Sequence, residues 1–331
     1  MELAHINRLK GLAILVMVIG HVYLFVLGNH QGPINRLITC NMPLFMFLSG
    51  IVIKVPPSPL KWANKAFRFM SPSVFAGIIC FLLIGIHSSF INTTKALLEF
   101  FYIPSRGYWY LVVLTIFYAT LTLIGLFKKR SFLWNLVLTI CFYAFFFFSW
   151  KLGGKIGENF CMEHCTCYYP FFMMGYFARA YCGGTGIFLR NNSIFSISLF
   201  CLFLFFLTDS DTYIIKNIVN RFLLPTSAII VSVILFAERE AKKSKIESIL
   251  EFFGKNSLNI YLWHGIFLNQ VHLLCLKHFF EDGKNVLLEF MIALCLGLIL
   301  TLLSVYFGNF ILKSEFIRKY CYGYWAKNIG R

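Results

Sequence analysis

Two stretches of this sequence place ionisable side chains where apolar ones would be expected. The first, "LKGLAILVMVIGH" at residues 9–21, has Lys10 near one end and His21 at the other. Eleven residues of α-helix separate them by about 16 Å of rise and only about 20° of rotation, so they share a face. Ile14 and Met17 lie on the same stripe, which marks that face as turned to protein or water and not to lipid. An ionisable group inside an apolar helix is costly enough to point to function. For Lys10 the alternative is snorkelling to the inner membrane interface. For His21 the chemistry would be acid–base proton transfer, the alternative being a purely structural histidine. The second stretch is "FFGKNSLNIYLWHGIF", residues 252–267, where Ser257, Tyr261 and His264 are spaced i, i+4, i+7 and also fall on one helical face. Asn256 and Ser257 stand where that helix would start, a position that favours capping side chains. A third segment, "CNMPLFMFLSG" at 40–50, opens with Asn41 and Pro43, where a proline costs little.

These residues need a scaffold, and the composition says which kind. Of 331 residues, 59% are hydrophobic and 13% charged, with 39 Phe, far from the balance of an ordinary soluble domain. Apolar runs of the roughly 17–25 residues that cross a bilayer recur from end to end. The expected fold is therefore an all-α, polytopic integral membrane protein forming a single domain over 1–331. About ten transmembrane helices are expected near residues 10–28, 37–53, 73–90, 108–126, 132–150, 168–182, 192–208, 221–237, 257–276 and 286–312. The first run follows Arg8 and Lys10 but is long and lacks an Ala-x-Ala-like cleavage site, so it reads as a spanning helix and not a signal peptide. With both termini cytoplasmic, most of the 30 Lys and Arg residues fall inside, as the positive-inside rule requires.

The formal charge of +16 is spread along the inner loops and does not form a nucleic-acid surface. The longest of these loops, 54–72 and 238–256, read as topology signals or as a docking surface for a nucleotide phosphate. Most of the 11 Cys are scattered through apolar segments. The exception is "CMEHCTC", where Cys161, Cys165 and Cys167 surround His164 and offer a metal site, a disulfide or unlinked thiols. No metal is expected. The sequence contains no P-loop, no H-E-x-x-H, no G-x-S-x-G and no G-x-G-x-x-G, which removes most support for metal, phosphoryl-transfer and dinucleotide chemistry. No internal repeat of the transporter kind is visible.

Four blocks in order resemble the membrane acyltransferase-3 family, which includes O-acetyltransferases of bacterial surface polysaccharides. "LKGLAILVMVIGH" resembles its first-helix signature, and "NMPLFMFLSG" its H-M-P-L-F-F-F-x-S-G block. "RFMSPS", from Arg68 to Ser73, resembles its R-x-x-x-P segment, and "GKNSLNIYLWH" its late G-x-x-S-x-x-I-Y-x-x-H block. "GYWYLVVL" (107–114) and "PFFMMGYFAR" (170–179) are weaker matches. Lys10 stands where the family often has Arg; it loses the bidentate fork but still binds phosphate as a point charge. Asn41 stands where the family commonly has His and cannot take a proton near neutral pH.

The resemblance implies a multi-pass enzyme of the bacterial cytoplasmic membrane that moves acetyl from cytoplasmic acetyl-CoA to a hydroxyl of a surface glycan or its lipid-linked precursor. His21 and His264 would be catalytic, and Lys10 and Arg68 would hold coenzyme A phosphates. Asn41, Trp109, Ser257 and Tyr261 would line the acceptor site. The alternatives are a glycan or lipid-intermediate transporter without covalent chemistry, and a non-catalytic scaffold that would leave the Lys10–His21 stripe unexplained.

Overall fold

The computed structural model describes residues 3–28, 36, 38–85, 108–127, 131–182, 192–207, 218–236, 244–272 and 286–323, and every regular element among them is helical. In chain order these are α1 (Leu3–His21), continued by a π turn (Val22–Val26), then α2 (Asn41–Ile51), α3 (Pro59–Gly85) and α4 (Trp109–Leu126). Next come α5 (Phe132–Leu152), α6 (Gly154–Asn159), α7 (Met162–Tyr181) and α8 (Asn192–Leu207). A second π turn (Val219–Leu223) leads into α9 (Leu224–Leu235), followed by α10 (Lys245–Lys255), α11 (Ser257–His272), α12 (Val286–Ile311) and a last π turn (Ile317–Cys321). A helix stands at each of the ten expected positions. Among the described residues, four helical stretches are long and apolar enough to cross a membrane: Ala4–Val26, Trp109–Leu126, Phe132–Leu152 and Leu287–Ile311. Of the basic residues used to orient the chain, Lys128, Lys129, Arg130, Arg190, Arg239, Lys242, Lys243, Lys327 and Arg331 lie outside the described residues, as does Cys275.

Two of the segments expected as loops are largely helix. α3 begins at Pro59, the first helical position, where a missing N–H costs nothing, and runs unbroken through Pro72 to Gly85. Near Pro72, which removes one i→i−4 bond, Ser73 Oγ donates back to the Met70 carbonyl at 2.8 Å, and the Ser71 hydroxyl reaches out of the helix to the carbonyls of Tyr320 and Cys321. The 238–256 segment contains α10. Its start is a capping box in which Ser244 Oγ accepts from the Glu247 N–H at 3.1 Å and Glu247 Oε2 accepts from the Ser244 N–H at 2.9 Å.

The chain divides into two units. One comprises Met1–Val52 and Met174–Gly308. Its centre is α1, whose Leu9, Ala13, Ile14, Met17 and Val18 are fully buried. Buried along most of its apolar length, α1 is a helix that other helices surround. Glycines let them come close, as expected where helices pack without a hydrophobic drive from solvent. A Cβ at Gly11 would strike the Leu250 carbonyl, one at Gly254 the Asn7 carbonyl, one at Gly297 the backbone and side chain of Ile19, and one at Gly175 the Phe47 carbonyl. Arg8 and Glu247 add an ion pair at 3.4 Å between α1 and α10.

The other unit comprises Ile53–Met173 and Asn309–Arg331. Its core is aromatic: Phe117 of α4, Phe146 of α5 and Tyr169 and Phe172 of α7 contact one another at centroid distances of 5.2–6.2 Å. α5 shows Ile140, Phe145 and Phe148 outward, the surface a lipid-facing helix presents. Cys161, Cys165 and Cys167 form no disulfide, and among the described residues no group of three His, Cys, Asp or Glu side chains is arranged to hold a metal.

Candidate functional site

The first unit brings His21 and His264 into contact across 243 residues of sequence. His21 Nδ1 and His264 Nε2 are 3.0 Å apart, with the ring centroids at 5.1 Å and the ring planes inclined by 23°. That is hydrogen-bond distance between two ring nitrogens, one of which must donate. His264 is buried, and its other nitrogen, Nδ1, lies 2.9 Å from the Ile260 carbonyl one turn earlier in α11. His21 is half-exposed and closes α1; Phe25 meets its ring edge-on at 5.5 Å. Directly after His21 the backbone passes into the π turn, where the Leu27 N–H donates to the Val22 carbonyl at 3.1 Å. Such wide turns inside helices recur at functional sites.

The contact between the histidines is set from further back. α1 is fastened to α10 at Gly11 and Gly254, where backbones meet without side chains between them. α10 ends at Lys255 and α11 begins at Ser257, so Asn256 is the whole connection. The expectation that Asn256 caps α11 with its side chain is corrected: its Nδ2 turns back and donates to the Phe252 carbonyl at 2.9 Å, beside the Asn256 main-chain N–H that the same carbonyl accepts at 3.3 Å. Its main-chain carbonyl accepts from the Ile260 N–H at 3.0 Å and so opens α11. The position of His264 therefore follows from that of α10, and α10 is locked to the helix that carries His21.

The other sequence candidates fall in three places. Lys10 is half-buried on α1, on the helical face it shares with His21. Tyr261 and Ser257 are half-exposed on α11, with the Tyr261 ring centroid 6.2 Å from that of His264 and Ser257 in the helix's first turn. Asn41 is buried at the start of α2 and lines a cavity of 180 Å³ with Leu12, Ala13, Val16, Leu44 and Ser232. Leu12 and Val16 lie on roughly the opposite side of α1 from Lys10 and His21, so Asn41 faces a different side of that helix. Arg68 and Trp109 belong to the second unit. Arg68 is half-exposed on α3, where the bend at Gly323, with φ of 64°, packs on its side chain. Trp109 opens α4, stacked on Tyr168 at 5.3 Å and tilted against His164 at 4.3 Å.

Sequence reasoning did not find the Ile260 carbonyl, the two glycines or α10 itself. The capping box was readable as Ser-x-x-Glu at 244–247. A main-chain acceptor carries no sequence signature at all.

The sequence matches a family described as an acyltransferase domain over residues 3–308. No curated protein and no solved structure matches the chain.

Proposed function

We propose, for a chain that belongs to the acyltransferase-3 family, that it is a membrane O-acetyltransferase of a bacterial cell envelope, taking acetyl from acetyl-CoA and giving it to a hydroxyl of a surface polysaccharide or its lipid-linked precursor. The observation that carries this reading is the 3.0 Å contact between His21 and His264. A sugar hydroxyl is a weak nucleophile. It attacks a thioester at a useful rate only when a positioned base removes its proton as the bond forms. His21, half-exposed at the end of α1, is that base. The oxygen joins the acetyl carbon, the carbon–sulfur bond breaks, and the thiolate leaves with the proton that His21 took.

In this reading Lys10 holds the phosphates of the donor, and Ser257 and Tyr261, on the helix that carries His264, contact the acceptor. The rise of about 16 Å from Lys10 to His21 is comparable with the reach of an extended pantetheine arm. A donor gripped by its phosphates near the inner membrane face would present its thioester to the imidazole. Ten spanning helices with both termini in the cytoplasm supply the frame, and burial among them keeps water from the thioester.

The test is acceptor-dependent release of free thiol from acetyl-CoA by the purified protein, together with mass spectrometry of surface glycan from cells with and without the gene. His21→Ala should lower acceptor acetylation by about 10²–10⁴-fold while leaving the protein inserted and folded. Near-parental acetylation by that variant would make His21 structural and the proposal wrong.

A further inference from the structure

The two ring contacts of His264, taken together, fix which nitrogen of His21 can do chemistry. A carbonyl oxygen only accepts, so at 2.9 Å from the Ile260 oxygen the His264 Nδ1 must carry the hydrogen. The oxygen has a second lone pair for the helix's own i→i−4 bond, so no backbone bond is given up. His264 is buried, as are Leu262 and Trp263 just before it, and an imidazolium there would be a desolvated charge within a membrane bundle. The ring is therefore neutral. With Nδ1 protonated, its Nε2 is a bare acceptor. The 3.0 Å contact then requires His21 Nδ1 to donate. One lone pair is left in the chain of contacts, on His21 Nε2.

We infer that His264 is a positioning residue which, anchored by the Ile260 carbonyl, holds His21 in the Nδ1–H tautomer and so makes His21 Nε2 the single basic nitrogen of the site. This rests on the reading of His21 as the base and assigns its working atom. It narrows the catalytic role that the resemblance implies for His264, because a nitrogen that accepts from His21 has no free lone pair for substrate. The acceptor hydroxyl gives its proton to His21 Nε2, producing an imidazolium whose Nδ1–H stays bonded to His264. The alkoxide forms the new ester bond, the thiolate departs, and Nε2 returns the proton to the sulfur. Throughout these steps the proton on Nδ1 does not move. A neutral imidazole in water prefers the Nε2–H form, which would point a hydrogen at the substrate oxygen instead of a lone pair. The contact with His264 is what reverses that preference.

The experiment is ¹⁵N NMR of the full-length protein, labelled at histidine and held in lipid nanodiscs, with the His21 signals identified by their loss in His21→Ala. The parent protein should show His21 as the Nδ1–H tautomer, and His264→Leu should shift it to Nε2–H. A parent spectrum with His21 in the Nε2–H form overturns the inference. Kinetics supply a second arm. Glutamine places an acceptor oxygen where His264 Nε2 stands, whereas asparagine keeps a donor for Ile260 but falls short of His21. Hence His264→Gln should keep kcat within about tenfold of the parent. His264→Asn and His264→Leu should both lose about 10²-fold or more in kcat with an unchanged KM for acetyl-CoA. Equal losses in all three variants would restore His264 as a base and sink the assignment. Should the parent protein release no thiol with any acceptor, the proposed activity fails while the tautomer measurement still stands on its own.

Discussion

Replacing Gly254 with alanine should disable the site from outside it. The Cβ of Gly254→Ala would sit 2.6 Å from the carbonyl carbon of Asn7 and 2.9 Å from its Cα, where carbon atoms rest at about 3.5 Å. The neighbours are main chain of a buried helix and cannot swing aside. α10 must then move off α1 by at least about 0.9 Å, the difference between the resting distance and the first of those contacts, since the Asn7 carbonyl oxygen lies nearer still. Only Asn256 separates α10 from α11, so His264 shares the movement. Added to the 3.0 Å His21–His264 contact, it gives about 3.9 Å, outside hydrogen-bond range. Overpacking of this size costs about 1–3 kcal/mol of stability, and a misplacement near 1 Å at a reacting centre costs about 10²-fold in rate. The assay is acceptor-dependent thiol release beside thermal unfolding in one detergent. Gly265→Ala is the control, since a Cβ there meets nothing within 4 Å, and it should leave both quantities near parental. Parental turnover and stability in Gly254→Ala would show that the glycine contact does not hold the histidines in register.

Other perturbations separate the remaining claims. Lys10→Arg should keep most activity and Lys10→Ala should raise the apparent KM for acetyl-CoA, measured by thiol release against donor concentration; equal constants in all three forms would leave Lys10 as an interface anchor. Cysteines replacing Lys245 and Lys155 should be labelled by an impermeant maleimide only from inside and only from outside intact cells, respectively, and outside labelling at 245 would reject the proposed orientation. Glu247→Gln should lower stability by no more than about 1 kcal/mol, read by thermal unfolding, because the partly exposed Arg8–Glu247 pair at 3.4 Å is weakly held.

The parts of this site that belong to one helix were legible before any coordinates. Lys10 and His21 share a face by the arithmetic of the helix repeat, and Ser257, Tyr261 and His264 do so by the same arithmetic. Which face of α1 meets which face of α11 is another matter. That pairing depends on packing between segments 243 residues apart, and it is decided by where bare backbone at Gly11 and Gly254 lets helices touch. Pro72 shows a different loss: read alone it signals a helix end, yet its helix continues for thirteen residues to Gly85, with the Ser73 hydroxyl bonded to the Met70 carbonyl nearby. Charge misled in 238–256, where lysines suggested a loop. The amphipathic run Leu250, Phe253 and Gly254 was a helix face all along, buried against a neighbour.

The π turn after His21 bears on how the length of this chain can vary. A turn closed by i→i+5 bonds holds one residue more than an α-turn in the same place. Losing any one residue between Val22 and Val26 would let the ladder close as ordinary α-helix, with everything up to His21 undisturbed. Losing one residue between Lys10 and His21 would swing the imidazole by about 100° around α1 and away from His264. Two neighbouring stretches of a single apolar helix thus differ in their tolerance of a codon-sized deletion, and descendants of this gene should keep the spacing before His21 while remaining free to shorten the stretch after it.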